Sequence, residues 1–195
     1  MSKNADFLSK VARKLSMPSR DAPAGVMDSI LTVAAGSYGF RPSGEEATMP
    51  TGFDPQAAAL FESIVEASFL VAQADGVFDA AERQAFRTVV VEACRGAVGD
   101  DQLEALLGDL AEMLAEDGMA KRISMVARTI GRADHQREVL RIAAFLAVVS
   151  ESANDVEREV LGQMSDAFGL PRDTVDQVMA EVHDAIAEVE ARSAR

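Results

Sequence analysis

The strongest constraint on the fold is an internal repeat, because the sequence matches itself when it is shifted by 75 residues. Two helical segments and the turn between them come into register, and apolar positions fall on apolar positions in both segments. The matched pairs are Ile64 and Val139, Val65 and Leu140, Leu70 and Phe145, Val71 and Leu146, Phe86 and Leu161, Val89 and Met164, and Ala93 and Phe168. Glu82 and Glu157 also coincide, each in the first turn after the break. The repeat predicts a duplicated helix-turn-helix unit.

Composition and helix signals predict an all-α fold. Apolar residues make up 48% of the chain and aromatic residues only 5%, with no Trp, which suits packed helices rather than sheets. Periodicity and chain breaks predict helices at about residues 55–74, 79–95, 101–116, 118–131, 134–150, 155–168 and 172–192. Asp101 and Glu104 have the spacing of a capping box at the start of the third helix. Because neither unit alone has enough core, we expect a single compact bundle of about seven helices over residues 55–192.

Residues 1–36 are predicted to form an N-terminal helical extension to this bundle. A second short helix is expected there at about 24–35, ending at Gly36. Glycine and proline recur so often over residues 37–54 that this stretch is predicted to be a flexible linker.

The first helix of the extension is amphipathic and basic. Residues 1–20 contain five Lys or Arg and one Asp. One stripe of the helix is apolar, with Leu8, Val11, Ala12 and Leu15 at helical spacing. Such a helix could make peripheral contact with an anionic membrane through residues 1–17. Alternatively, it could dock on the acidic body of its own chain, and an Arg-rich transit peptide is a third interpretation.

Charge and cysteine usage narrow the classes of function and compartment. The chain has 19 Lys plus Arg against 32 Asp plus Glu, a net charge of −13, which argues against binding to a nucleic acid backbone. The single cysteine, Cys94, cannot form an internal disulfide and has no neighbouring ligands for zinc. The sequence shows no membrane-spanning run and no secretory signal. We therefore expect a soluble, cytoplasmic protein.

One acidic turn is the most informative short motif. In the sequence ADGVFDAAE, which covers residues 74–82, Asp75, Asp79 and Glu82 surround Gly76. As a purely structural element, Gly76 would end one helix and Asp79 would cap the next, with Glu82 completing a capping box. This interpretation leaves Asp75 unexplained, because a carboxylate in the last turn of a helix faces the negative end of the helix dipole.

The alternative interpretation is a metal site. Asp75, Asp79 and Glu82 would offer oxygen ligands to a hard divalent cation, with Ca²⁺ favoured over Mg²⁺. The loop is shorter than an EF-hand loop and lacks its alternating acids, so an EF-hand is excluded.

The motif Asp-Gly-x-x-Asp-x-x-Glu, the second copy ending in Ala-Phe-Gly-Leu-Pro and the acidic helical composition resemble the tellurite-resistance TerB-like family. The resemblance covers about residues 56–182. It implies a compact helical bundle with an internal near-twofold arrangement, a divalent cation at an acidic face, a role in stress resistance, membrane-associated partners in some members, and no enzyme activity. In this chain Asp75, Gly76, Asp79 and Glu82 match the family turn.

The second turn departs from the family pattern. Ser150, Glu151, Asn154 and Glu157 occupy the positions of Asp75, Gly76, Asp79 and Glu82. A cap by Asn154 and a closing Glu157 are retained, but the Asp-Gly pair is absent. Only the first turn is therefore predicted to bind a cation.

No catalytic arrangement is visible in the sequence. His135 and His183 are expected at the surface, Cys94 in the core, and the nine Met mostly in the core. Seven charged residues are expected to lie mostly on solvated helix faces: Arg141, Glu157, Arg158, Glu159, Glu181, Asp184 and Glu188. Two hypotheses follow: a non-enzymatic stress protein that binds a divalent cation, or a metal-free helical adaptor or scaffold whose acidic body binds a protein partner.

Overall fold

The structure is a computed structural model that describes residues 5–18, 22, 24–40, 53–149 and 155–193. Within these ranges the chain forms nine α-helices and no strand, so the all-α prediction is confirmed. The helices are α1 (Ala5–Leu15), α2 (Ile30–Tyr38), α3 (Pro55–Ala72), α4 (Ala80–Ala93), α5 (Asp100–Asp117), α6 (Met119–Thr129), α7 (Ala133–Val149), α8 (Asp155–Phe168) and α9 (Thr174–Ser193).

The 75-residue repeat is visible in the helix bounds and in the pattern of burial. Both ends of α8 lie 75 residues after the corresponding ends of α4. Helix α3 has an uninterrupted buried run over residues 63–72, and α7 has one over residues 138–147, again 75 residues later. The two runs belong to helices that pack against each other at the centre of the molecule. The chain is therefore built on two equivalent helix-turn-helix units.

The remaining helices cover this central pair. Helix α5 packs on α3 and α4, α6 on α3 and α8, and α9 on α7 and α8, so all seven helices from α3 to α9 share one apolar core. The largest fully buried side chains include Phe61, Phe69, Phe86 and Phe145.

The start of α5 differs from the prediction by one residue. The side chain of Gln102 accepts from the backbone N–H of Gly99, 2.9 Å away, and the helix begins at Asp100. The predicted capping box of Asp101 and Glu104 is wrong, because Glu104 instead forms ion pairs with Arg83 and Arg87 on α4.

Helix α1 lies on the body of the protein. Its predicted apolar stripe is buried, with Val11 and Leu15 completely covered, in contact with α4, α7 and α9. At the edge of this contact, Lys14 Nζ lies 2.6 Å from Glu188 Oε2 on α9. The apolar stripe is thus covered by the chain's own helices, as in the docked alternative.

Helix α2 begins and ends later than predicted. Its N-cap is Ser29, whose side chain accepts from Thr32 N, and it continues through Gly36 to Tyr38, whose ring packs 4.7 Å from that of Phe61. The helix ends with Gly39 as its C-cap, and only glycine fits at that position, since a Cβ there would lie 1.8 Å from the carbonyl oxygen of Ala97. The stopping signal assigned to Gly36 was therefore wrong: packing on α3 extends the helix to the next glycine.

Most of the predicted linker, residues 41–52, lies outside the described residues. Its two ends meet, because Asp54 N donates to Ser37 Oγ at 2.6 Å. Among the described helices, none is both long enough and apolar enough to cross a membrane.

Candidate functional site

The candidate turn joins α3 to α4 and is built around Gly76, whose φ of +80° is the left-handed conformation that glycine adopts most easily. Helix α3 ends at Ala72, two residues earlier than predicted, so Asp75 lies in the turn rather than in the last turn of the helix. Its Oδ1 accepts from Val77 N at 2.9 Å. This hydrogen bond gives Asp75 a structural role that the sequence did not suggest.

Asp79 and Glu82 form a complete capping box. Asp79 Oδ1 accepts from Ala81 N at 2.7 Å and from Glu82 N at 2.9 Å, while Glu82 Oε2 accepts from Asp79 N at 2.9 Å. These bonds satisfy N–H groups that have no partner inside the helix. The capping interpretation of these two residues is confirmed.

Phe78 fixes the turn to the core. Its ring meets those of Phe69 and Phe86 edge to face, with centroids 5.9 and 5.8 Å apart. Phe69 belongs to α3 and Phe86 to α4, so the three rings hold the two helices at the turn.

The same three acids lie at the surface, with Asp75 and Asp79 exposed and Glu82 partly exposed. Asp75, Asp79 and Glu82 each use one carboxylate oxygen for the backbone, and their second oxygens make no hydrogen bond within the described residues. The side chains do not converge, however: over the part of the chain that the structure describes, no group of three or more His, Cys, Asp or Glu is arranged to hold a metal ion. A cation at this turn would need water and backbone carbonyls for most of its coordination.

The second turn, residues 150–154, lies outside the described residues, including Ser150, Glu151 and Asn154. Glu157 is only 2% exposed, whereas its counterpart Glu82 is partly exposed. The expectation that Glu157 lies on a solvated face is therefore wrong. The two repeats therefore differ in how deeply the equivalent glutamate is buried.

A buried ion pair joins α3 to α6. Arg122 Nε lies 2.6 Å from Glu66 Oε1, and Arg122 Nη1 lies 3.1 Å from Asp117 Oδ2. The hydrogen bond to Glu66 raises the pKa of Arg122, while Lys121 and Arg122 lower the pKa of Asp117. Glu66 was not singled out from the sequence, although a lone charged residue within an apolar helical run is the signal that could have revealed it.

A second buried pair lies on α7 and contacts the N-terminal segment. Arg141 is 3% exposed and donates from Nη2 to the carbonyl oxygen of Met17 at 2.8 Å, while Glu138 Oε1 accepts from Ile30 N at 3.1 Å. Arg141 Nη2 lies 3.5 Å from Glu138 Oε1. Burial raises the pKa of Glu138 and lowers that of Arg141. The expectation of a solvated Arg141 is wrong, because Met17 after α1 and residues of α9 lie beside it.

The outer face of α5 carries an acidic patch, which we define as Asp109, Glu112 and Glu116. All three side chains are exposed, and none has an ion pair within the described residues. Spacings of three and four residues place them on one side of the helix. Two arginines of α4 that contact α5, Arg83 and Arg87, are already paired with Glu104 and Asp100. The patch therefore presents uncompensated negative charge.

Cys94 and the two histidines lie in different environments. Cys94 is buried, as predicted, and its desolvation raises the pKa of the thiol to about 12. A thiol in this state is a poor nucleophile at neutral pH. His183 is exposed on α9 and His135 is half-buried near the start of α7.

No protein-family model matches the chain, and no curated protein or solved structure is significantly similar to it. The likeness to the TerB-like family therefore remains a prediction from the turn motif and the repeat.

Proposed function

We propose that this protein is a non-enzymatic helical binding protein whose acidic surface docks a basic segment of a partner protein. On the TerB-like resemblance, the proposed setting is the response to tellurite or to another stress. The observation that carries the proposal is the acidic patch of α5.

The patch is costly to the isolated protein. Glu112 and Glu116 are four residues apart on one helix, and like charges at that spacing destabilise it. Glu116 also lies in the last turn of α5, at the negative end of the helix dipole. A basic partner would neutralise both effects, whereas folding alone gains nothing from this arrangement.

Salt-dependent binding to a basic peptide tests the proposal. The probe is a fluorescent lysine-rich helical peptide, titrated with the protein at low and at high ionic strength. The test variant is Glu112→Lys/Glu116→Lys, and the matched control is Asp184→Lys/Glu190→Lys, which reverses two exposed acids on α9. We expect the α5 variant to weaken binding about tenfold or more, because both reversed charges would face the peptide. Equal losses in both variants would mean that net charge alone attracts the peptide, and would contradict a docking face on α5.

A second candidate function is binding of a divalent cation, Ca²⁺ before Mg²⁺, at the turn of Asp75, Asp79 and Glu82. It is favoured by the second carboxylate oxygens of these three acids, which make no hydrogen bond within the described residues. The test is calcium titration by calorimetry and thermal melting of the wild type and of Asp75→Asn, with Asp184→Asn as the control. Asp75→Asn keeps the oxygen that accepts from Val77 N but removes the charge. If a cation binds there, it raises the melting temperature of the wild type and of the control but not of Asp75→Asn. If calcium leaves the melting temperature of all three proteins unchanged, the acids of the turn have only a structural role.

A further inference from the structure

A cavity of about 320 Å³ lies between the end of α8 and the start of α9. Five residues line it: Gly162, Ser165, Asp166, Arg172 and Val175. The first three belong to α8, Val175 is the second residue of α9, and Arg172 lies between the two helices. The cavity is therefore lined by one acid and one arginine, together with a hydroxyl group and an apolar side chain.

The internal repeat shows why this space is open in the second unit. Shifted by 75 residues, Arg87 falls on Gly162 and Asp100 falls on Val175. In the first unit Arg87 and Asp100 form an ion pair that joins α4 to α5. In the second unit both charged side chains are missing, and a Cβ on Gly162 would meet no atom within 4 Å beyond its local backbone. An ion pair between two helices in one unit is thus replaced by a cavity in the other.

The two charged residues of the cavity are not used by the fold. Asp166 and Arg172 are both exposed, and neither forms an ion pair within the described residues, with one another or with any other side chain. The acids that follow Arg172 are already bonded: Asp173 accepts from a glutamine side chain of α9, and Asp176 pairs with an arginine of α8. Asp166 and Arg172 can therefore both bind charged groups of a ligand.

Two further polar groups at the cavity have no partner. Ser165 is 3% exposed, and its hydroxyl group makes no hydrogen bond within the described residues. A buried polar group is seldom left in this state, and one without a partner indicates bound water or another group. At the start of α9, the backbone N–H groups of Thr174 and Gln177 donate to carbonyl oxygens before the helix, whereas no such bond within the described residues uses Val175 N. Free N–H groups in the first turn of a helix favour an anion.

We propose that this cavity binds an α-amino acid with a small aliphatic side chain, its carboxylate at Arg172 and Val175 N and its ammonium group at Asp166. An α-amino acid carries both charges on groups attached to one carbon, so it can join an acid and an arginine that do not pair with each other. Its side chain would occupy the space beside Gly162. Small-molecule sites have volumes of roughly 300–1,000 Å³, and this cavity lies at the lower end of that range.

The acid in the wall distinguishes this ligand from a simple anion. Arg172 and the start of α9 would by themselves suit a phosphate or a carboxylate. Asp166 would repel such an ion, whereas it attracts the ammonium group of a zwitterion. A ligand without net charge also meets no overall repulsion from a chain of net charge −13. The charges that line the cavity therefore fit a zwitterion better than an anion.

Calorimetric titration of the full-length chain with L-valine tests the proposal. Isovalerate keeps the carboxylate and the carbon skeleton of valine but lacks the ammonium group, isobutylamine lacks the carboxylate, and inorganic phosphate is the simple anion. The variants are Arg172→Gln, Asp166→Asn and Gly162→Leu, of which the last fills the cavity. Its matched control is Gly108→Leu on α5, because Gly108 is also a partly buried glycine within a helix and has open space at its Cβ.

We expect saturable binding of valine and at least about tenfold weaker binding of isovalerate, isobutylamine and phosphate, since each lacks one of the two charges. Arg172→Gln and Asp166→Asn should each weaken valine binding about tenfold, the usual scale for a lost charge-assisted contact. Asp166→Asn should also strengthen the binding of isovalerate, which a purely structural role of Asp166 would not do.

Gly162→Leu should abolish valine binding, whereas Gly108→Leu should change it less than about twofold. The proposal is overturned if valine does not bind to the wild type, if isovalerate or phosphate binds as tightly as valine, or if the two glycine variants bind valine equally.

Discussion

The two central helices, α3 and α7, occupy equivalent positions in the repeat but handle buried charge in opposite ways. Both are buried over the same ten-residue stretch. Shifted by 75 residues, Glu66 of α3 falls on Arg141 of α7, so one buried position carries a negative charge in the first unit and a positive charge in the second.

The partners of these two residues come from different parts of the chain. Glu66 pairs with Arg122 on α6, within the bundle. Arg141 contacts Glu138 on its own helix and the backbone of Met17, while Glu138 also accepts from Ile30 N at the start of α2. The first unit satisfies its charge with a core helix, and the second does so with the N-terminal segment.

This difference shows what the N-terminal extension does in the fold. Buried charges need hydrogen-bond partners, because leaving one unpaired costs several kcal/mol. In the second unit, backbone atoms flanking α1 and α2 provide those partners. The N-terminal extension therefore provides hydrogen-bond partners for the buried charges of α7. Loss of the Glu66–Arg122 pair and loss of the Glu138–Arg141 pair should affect the protein in different ways.

The largest effect is expected from Arg122→Met, which leaves Glu66 buried without its cation. Removing one member of a buried pair typically costs about 3–5 kcal/mol of unfolding free energy. Urea denaturation of the variant and the wild type measures this loss. The double variant Glu66→Met/Arg122→Met should recover most of that loss, since no charge is left uncompensated. A loss no greater than that of the exposed control Arg128→Met would contradict the importance of the pair.

A smaller loss, about 2–3 kcal/mol, is expected from Arg141→Met, because Glu138 keeps its hydrogen bond with Ile30 N. The effect should also be local. Amide hydrogen exchange should become faster in α1 and α2 than in α5, whereas Arg122→Met should not single out the N-terminal helices. Equal changes in α1 and α5 would mean that Arg141 does not hold the N-terminal segment.

The second repeat unit should also make the stability of the protein depend on pH, through Glu138. Burial raises the folded-state pKa of Glu138 above its ordinary value of about 4.5, so the folded state holds the proton more tightly than the unfolded state. Stability should therefore fall as the pH rises from the ordinary pKa to the raised one, by at most about 1.4 kcal/mol per pH unit.

The variant Glu138→Gln should lack this fall in stability. The measurement is the slope of the unfolding free energy against pH, from acidic to neutral pH, in the wild type and in the variant. Because the charge of His135 also acts on Glu138, both proteins should also be compared in a His135→Gln background. Identical slopes with and without Glu138 would contradict its raised pKa.

At the turn between α3 and α4, Asp79→Ala should cost about 1 kcal/mol, the usual value for an N-cap. Asp75→Asn should cost less than about 0.5 kcal/mol, because the amide oxygen can still accept from Val77 N. Thermal melting of both variants in metal-free buffer measures this difference. A loss in Asp75→Asn as large as that in Asp79→Ala would show that the charge of Asp75 matters to folding.

The sequence predicted most of the fold, since periodicity and capping are local properties. Helices α3 to α9 begin and end within a few residues of the predicted bounds, and the repeat predicted which helices would be equivalent. The end of α2 was missed because packing on Phe61 overrides the glycine signal at Gly36. In the candidate site, the caps of Asp79 and Glu82 could be predicted for the same local reason.

The buried charges could not be predicted in the same way. Arg141 finds its partner in Met17 after α1, and Glu138 finds one at the start of α2, and these contacts join residues more than 100 positions apart. Likewise, the ion pair of Lys14 with Glu188 exists only because α1 packs beside α9. Helix periodicity indicates which face of α1 is apolar but not which helix covers it.

The smallest effect on stability is expected from the ion pair at the start of α7, which has no equivalent in α3. Arg132 Nη2 lies 2.8 Å from Asp134 Oδ2, and the residue 75 positions before Asp134 is Ala59. The hydrogen bond from Arg132 lowers the pKa of Asp134 to about 2. A lowered pKa stabilises the fold above the ordinary pKa of the carboxyl group, and this contribution is lost as the pH falls towards 2.

Because both side chains are exposed, water and salt screen the pair, so Arg132→Ala should leave the melting temperature at neutral pH unchanged. Carboxyl NMR titration should nevertheless show the pKa of Asp134 rising towards its ordinary value in that variant, and an unchanged pKa would mean that the backbone at the start of α7, not Arg132, holds the charge.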